Sequence, residues 1–565
     1  MNKTIPASDA PLLGTTTTPA VRARRRLAVW SVLGLMVIVS GSAIVGAMRR
    51  TSPTFDEIVL VAGGARGFAT GTFDLAPDHP PLMQYLYGLP VWLSDPTLPD
   101  ESTVSAQVRA QPGYRYKYAS AFYWAVGNDP ERVSFLGRLP AVAIALLLTI
   151  VVFLYTRRFW GDAAGLTAAA LTAFMPDVLA HGGVAYNDVP IALAILAAGW
   201  AVDETVRHPA LHRGMLAGLL TGIAISVKIS AAALLPVAVL LIAVEAVAQR
   251  TPAPESRARW RQALALATLA AVVVTYLTVV LVYRGDFALA EFRYGLQFRY
   301  RHMTSGHGAA AFLLGNTSTT GWWYYFPAAF LFKTSAAMQI LVLLAAAALV
   351  RRAAANAPVA LRSGARMPIA ALLVFGGTLL TSNLNIGFRY AMPVLPLVCI
   401  LTGAGAVAAA SSSRVMRVAV LACVTWASAF SLSYYPHFLA YISEYGRGRD
   451  ENYTILSDSS LDWGQGLLEL RNFMRARNIE TVYLSYFGSG SPAGYGINYV
   501  PLYSFFSLPP QPPPATTPEY VVISATNLTG VYFRGDPFQK FRNVKPDTVL
   551  GHTMFVYRLE QGGSD

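Results

Sequence analysis

Two acidic side chains stand together in Phe55-Asp56-Glu57, and a little further on comes Asp78-His79-Pro80-Pro81-Leu82. A carboxylate beside an apolar stretch is costly to keep near lipid unless it is hydrated, paired or used. Such a group can take a proton from an attacking hydroxyl, with an imidazole nearby to orient it. Asp56, Glu57 and His79 are therefore the candidate catalytic residues. A plainer reading competes: Thr54-Phe55-Asp56-Glu57 has the form of a capping box, with Thr54 at the N-cap and Glu57 three positions on, and acids in a first turn complement the helix dipole. The box accounts for Glu57 better than for Asp56, which it does not require.

A second set is cationic. Arg138, Lys228 and Arg389, the last followed by Tyr390, fall at the ends of apolar runs. Several cations at one membrane depth suit a phosphate group, whereas headgroup anchoring and snorkelling are the competing accounts. Asp188 closes the run His181-Gly182-Gly183-Val184-Ala185-Tyr186-Asn187-Asp188, just before a helix expected from Pro190. N-capping thus competes with ligand binding there. A divalent metal held by His181 and Asp188 is possible, but that spacing is a weak signal and no cofactor is assigned.

The elements that must position these groups are membrane helices. Of 565 residues, 54% are hydrophobic and 13% charged, with a mean hydropathy of +0.42, against about a quarter charged in soluble domains. A run from Leu27 to Ala47 follows four arginines and is long enough to span rather than serve as a signal peptide. Further spans are expected near 137–155, 163–177, 184–202, 214–228, 231–248, 262–283, 335–350, 367–382, 390–410 and 415–433, about eleven in all. With the N-terminus in the cytoplasm, every short cytoplasmic loop is basic, as the positive-inside rule asks. The net charge of +13 is read as topology-setting charge and contact with membrane lipids, not as nucleic-acid binding. Cys399 and Cys423 both lie in apolar runs, which leaves no disulfide framework.

The expected organisation is a cytoplasmic tail at 1–26, a transmembrane unit at 27–433 with a long first outer loop at 48–136, and an extracytoplasmic α/β domain at 434–565. The first loop carries aromatic-rich amphipathic stretches, Thr54–Phe68 and Ala119–Val126, expected to lie in the interface. The tail shows a helix pattern at Gly464–Arg477, strand-like runs at Val482–Phe487, Tyr520–Ser524 and Phe555–Leu559, and a proline-rich loop at Leu508–Pro518. Chemistry is accordingly expected on the outer face of the cell membrane.

The motifs resemble a family. Phe55-Asp56-Glu57, Asp78-His79-Pro80-Pro81-Leu82 and Gly127-Asn128-Asp129 leading to Gly137-Arg138-Leu139-Pro140 are similar to the first loop of C-type membrane glycosyltransferases related to protein O-mannosyltransferases. Gly387-Phe388-Arg389-Tyr390, Leu461-Asp462-Trp463-Gly464-Gln465 and Leu484-Ser485-Tyr486-Phe487-Gly488 resemble a bacterial, phospholipid-carrier-dependent branch. The resemblance implies a multi-span enzyme that takes a sugar from a polyprenyl-phosphate donor and passes it to a lipid, glycan or protein acceptor. It also implies Asp56 as general base. Departures from the branch are Asp78 where Glu is usual, Gly466 where an acid is usual, and a 284–334 loop too short for a large inserted domain.

Physical reasoning runs parallel. A prenyl phosphate stays in the bilayer, so its sugar must meet a site at helix ends, where cations balance the phosphate. Arg138, Lys228 and Arg389 are the phosphate candidates. Asp78, Asp188, Tyr390 and Asp462 are candidate substrate contacts, and one base displacing phosphate implies inversion. A polysaccharide polymerase or ligase, or a lipid-linked substrate transporter or flippase, is the alternative; the latter would place its charges near mid-membrane on broken helices.

Overall fold

A computed structural model describes residues 19–109, 111, 113–249, 254–304, 310–355 and 364–559. Most of the expected N-terminal tail lies outside them.

Every apolar run expected to span is helical. The helices are Pro19–Met48, Pro130–Ala173, Asp188–Arg207, Leu211–Val227, Leu234–Ala248, Pro254–Val282, Ala336–Ala355, Arg366–Leu380, Leu395–Ala410 and Arg414–Leu432. The protein is a polytopic α-helical membrane protein. Among the described residues seven helices are long and apolar enough to cross a membrane, and Leu211–Val227, Arg366–Leu380 and Leu395–Ala410 are shorter apolar helices. The expected spans 163–177 and 137–155 fall on either side of a non-helical break at Gly161, whose φ of 85° favours glycine, and the longer helix is the one before the break.

That helix sets the depth scale. From Arg138 to Arg157 it rises about 29 Å, close to the roughly 30 Å of a bilayer's hydrocarbon core. At the first end Arg138 pairs with Glu57, and at the other Arg157 pairs with Asp162. Nearby at that other end, Arg366 is buried against Asp203 and Glu245, so one of the basic loop residues expected to set topology is also spent on an interior ion network.

The helix Glu57–Thr70 is buried in the protein from Glu57 through Gly67 and packs on the helix Pro81–Trp92. Glycine permits that approach, since a Cβ on Gly64 would sit 2.0 Å from the Gln84 carbonyl oxygen. The helix Tyr114–Trp124 packs on Glu57–Thr70, with Tyr118, Ala119, Phe122 and Tyr123 buried.

A hairpin joins β1 (Ala311–Leu313) to β2 (Asn316–Ser318). The C-terminal part is a small mixed sheet of β3 (Thr481–Ser485), β4 (Asn498–Pro501), β5 (Tyr520–Ser524), β6 (Thr548–Leu550) and β7 (Met554–Arg558), in the order β4-β3-β5-β7-β6. β3 is parallel to β4 and β5, while β7 is antiparallel to β5 and β6. One face is covered by the helix Leu467–Ala476 through Leu467, Leu470 and Met474. The three strand-like runs and the helix are thus present, whereas β4 and β6 are too short and too exposed to show a period. The sheet unit is sewn to the helical part: Ser52 N–H donates to the Gln465 carbonyl at 3.1 Å and Phe55 N–H to the Trp463 carbonyl at 2.9 Å.

Candidate functional site

The turn into the helix Glu57–Thr70 separates the two neighbouring acids. Thr54 N–H donates to Glu57 Oε2 at 2.9 Å and the Thr54 hydroxyl to the same oxygen at 3.4 Å, so only the Glu57 half of the expected capping box forms. Asp56 occupies the N-cap position without any side-chain capping bond. Its carboxylate turns aside, accepts the Tyr116 hydroxyl at 2.8 Å, lies 3.8 Å from Arg389, and keeps a quarter of its side chain exposed.

Glu57 takes the opposite course. It accepts from Arg138 Nε at 2.7 Å, from Arg138 Nη2 at 2.9 Å and from Ala185 N–H at 2.9 Å. Arg138 also donates to the carbonyls of Met48 at 2.7 Å, Thr51 at 3.0 Å and Ser52 at 3.0 Å. With 1% and 0% of their side chains exposed, these two groups are consumed by each other and by the backbone. This corrects two expectations: Glu57 has no free oxygen to offer an acceptor, and Arg138 has no free N–H for a phosphate.

Arg389 sits on the 3₁₀ turn Phe388–Ala391 and is the hub of the remaining charges. Its Nε donates to Ser459 Oγ at 2.9 Å, and Nη1 lies 3.5 Å from Asp188. The guanidinium stands over the rings of Trp463, Tyr390 and Tyr186 at 4.4, 4.8 and 5.1 Å, contacts that favour a cation. Burial opposes its charge, but Tyr390, Asp188, Tyr186 and Asp56 around it hold the pKa well above its ordinary value.

Asp188 is helical rather than a cap, since the helix begins at Asp188 and Asn187 is the N-cap residue. Its carboxylate takes Lys228 Nζ at 3.1 Å, and that ammonium lies 5.2 Å from the centre of the Tyr390 ring. Lys228 follows the helix Leu211–Val227 in extended backbone, which carries its side chain back toward Asp188.

His79 lies beside this group. Its ring nitrogens meet the Tyr186 hydroxyl at 3.3 Å and the Asn187 amide at 3.4 Å. Burial pushes its pKa down to about 4, so the ring is neutral at pH 7. Asp78 is 2.7 Å from Arg115. Although burial works against its charge, His79 and Arg115 hold it below the usual carboxylate range.

Asp462 is not placed as a substrate contact. Buried under the sheet unit, it accepts Thr526 N–H at 3.0 Å and Gly464 N–H at 3.3 Å, which fixes the turn that carries Trp463. Burial pushes its pKa up to about 7. His181 is buried against Trp463, with both ring nitrogens unpartnered among the described residues. Among those residues no group of three or more His, Cys, Asp and Glu is placed to hold a metal ion.

Residues that sequence reasoning missed complete the site. Tyr116 and Arg115 come from the helix Tyr114–Trp124. Asp458 occupies a left-handed turn at φ 53° and is buried, with its carboxyl bonded by Ser459 N–H and the Tyr532 hydroxyl. Burial pushes its pKa up to about 6. Only a dense polar run, Asp458-Ser459-Ser460, hints at it in the sequence.

Comparison with known proteins agrees with the motif resemblance. Residues 122–283 match a family described as dolichyl-phosphate-mannose-protein mannosyltransferase. Among solved structures, ArnT from Cupriavidus metallidurans bound to undecaprenyl phosphate is similar with 16% identity and a TM-score of 0.45, over 78% of this chain and 72% of that one. The apo state of the same ArnT gives 17% identity and 0.45, over 73% and 70%. An Archaeoglobus fulgidus oligosaccharyltransferase tethered to an acceptor peptide gives 11% identity and 0.36, over 91% and 72%. No curated protein matches.

Proposed function

We propose that this chain is a membrane glycosyltransferase that moves a sugar from a polyprenyl-phosphate donor to an acceptor hydroxyl at the extracytoplasmic face. The observation that carries the reading is the parting of Asp56 from Glu57. One acid is locked into the fold, while its neighbour is left partly exposed among cations and tyrosines.

In this reading Asp56 accepts the proton of the acceptor hydroxyl as its oxygen attacks the anomeric carbon. Arg389, at 3.8 Å, and the Tyr116 hydroxyl, at 2.8 Å, orient the Asp56 carboxylate. The bond to the phosphate breaks as the new one forms, which inverts the anomeric centre. Lys228 and Arg389 stabilise the departing phosphate. Asp188 holds both cations in one place before the donor arrives. Neutral His79, bonded to Tyr186 and Asn187, shapes the wall beside Asp56 as a positioning residue. Charges gathered at helix ends, rather than on broken helices at mid-membrane, support transfer over transport.

The test is incubation of the purified protein with a radiolabelled polyprenyl-phosphate sugar and membrane extract. Label should move to an acceptor with the wild type and not with Asp56→Asn. Transfer from a nucleotide sugar in lipid-free detergent, with none from the prenyl-linked sugar, overturns the reading.

A further inference from the structure

Beside Asp56 stands a wall of aromatic rings that the transfer step does not use. Phe55 lies 4.8 Å from Phe506 and 5.5 Å from Phe487, centre to centre. Tyr532 is stacked on Phe487 at 5.6 Å and meets Phe505 at 4.9 Å. Tyr116, whose hydroxyl donates to Asp56, meets Phe506 at 5.3 Å, so the wall and the base share a side chain.

Phe55 and Phe487 are buried, but Phe505 and Phe506 remain 41% and 36% exposed. They stand on the loop between β4 and the proline-rich stretch. The Tyr532 and Ser489 hydroxyls beside the rings are spent on the buried Asp458 carboxyl and the Phe55 carbonyl, whereas the Asp56 carboxylate at the edge of the wall keeps a quarter of its side chain exposed. An aromatic face with a partly exposed carboxylate at its edge matches one chemistry closely. A pyranose offers a C–H face, slightly positive, to the negative face of an aromatic ring, and hydroxyls at its edge to a carboxylate. An alkyl chain would cover the rings but offer Asp56 no hydroxyl.

We propose that this wall is an acceptor subsite for a pyranose ring, so that the hydroxyl delivered to Asp56 belongs to a sugar-bearing acceptor. The proposal rests on the reading of Asp56 as the base.

Saturation-transfer NMR on the full-length protein, held in a detergent without a sugar headgroup, tests it with methyl α-mannopyranoside, methyl β-glucopyranoside and a Ser/Thr-containing peptide as probes. Wild type should saturate the ring C–H protons of at least one glycoside. Phe506→Ala and Phe505→Ala, with unchanged melting, should lose that signal, and Phe506→Tyr should keep it. Absence of glycoside saturation in the wild type overturns the proposal, as does saturation that survives both alanine variants or preference for the peptide. Asp56→Asn separates the two readings. If it binds glycoside but stays active, the base assignment fails and the subsite stands; if it is inactive while Phe506→Ala binds glycoside normally, the subsite fails and the base stands.

Discussion

The Arg389 guanidinium lies 3.8 Å from the Asp56 carboxylate while its other terminal nitrogen lies 3.5 Å from Asp188. One cation thereby ties the first connecting segment to the start of the helix Asp188–Arg207, and it does so from a turn that precedes the helix Leu395–Ala410.

Asp56→Asn preserves shape and the bond from Tyr116 but cannot accept the acceptor's proton. Turnover should fall by about 10² to 10⁴-fold with folding intact. Thr54→Ala, which keeps the backbone bond to Glu57 and removes only the hydroxyl contact at 3.4 Å, should lower stability by about 0.5–1.5 kcal/mol and leave turnover largely unchanged. Both are read from single-turnover rates and thermal melts. A folded Asp56→Asn enzyme that retains more than about a tenth of wild-type turnover removes the base assignment.

Glu57 and Arg138 should behave as a structural pair. Glu57→Gln or Arg138→Met leaves a buried charge without its partner, which costs about 3–5 kcal/mol, and the double replacement should recover much of that loss. Melting temperature and yield of folded protein report it. Normal stability with collapsed turnover in Glu57→Gln would return Glu57 to the catalytic set.

Lys228→Met should weaken donor use. A charged hydrogen bond contributes about 1.5–3 kcal/mol, so apparent affinity for polyprenyl phosphate should drop roughly tenfold or more. Asp188 keeps Arg389 as a partner in that variant, so the fold should survive. Unchanged binding of polyprenyl phosphate would remove Lys228 from the phosphate site.

His79 supplies a pH dependence of stability. Its folded pKa is depressed to about 4 by burial, whereas an unfolded chain protonates histidine near about 6.5. Between those values the unfolded state binds more protons, so the contribution of the neutral ring is complete above pH 6.5 and is lost as pH falls toward 4. Thermal melts in detergent should show a shallower decline over that window for His79→Asn than for the wild type. Parallel curves would mean that His79 is not buried neutral.

Much of the architecture was legible because it is local. An apolar run of sufficient length has to satisfy its backbone groups within itself in lipid, which makes it a helix wherever it lies in the chain. The bond from Thr54 N–H to Glu57 and the strands Tyr520–Ser524 and Met554–Arg558 rest on residues within a few positions of one another, and they form as expected. Short strands without a period, such as Thr548–Leu550, were not legible, since partner strands alone define them.

The site divides along the same line. Residue types and spacing singled out Asp56, His79, Lys228, Asp188 and Arg389, which the fold does bring together around Tyr186 and Tyr390. They also singled out Glu57, Arg138 and Asp462, whose charged atoms turn inward to bond one another or the backbone. Sequence by itself determined which residues could carry charge at helix ends and which stretches had to be helices. Tertiary structure alone decided which charge meets which. Ion pairing depends on distance in space and on burial, and nothing in the local pattern records that Arg138 would close on Glu57 while Arg389 reached Asp56.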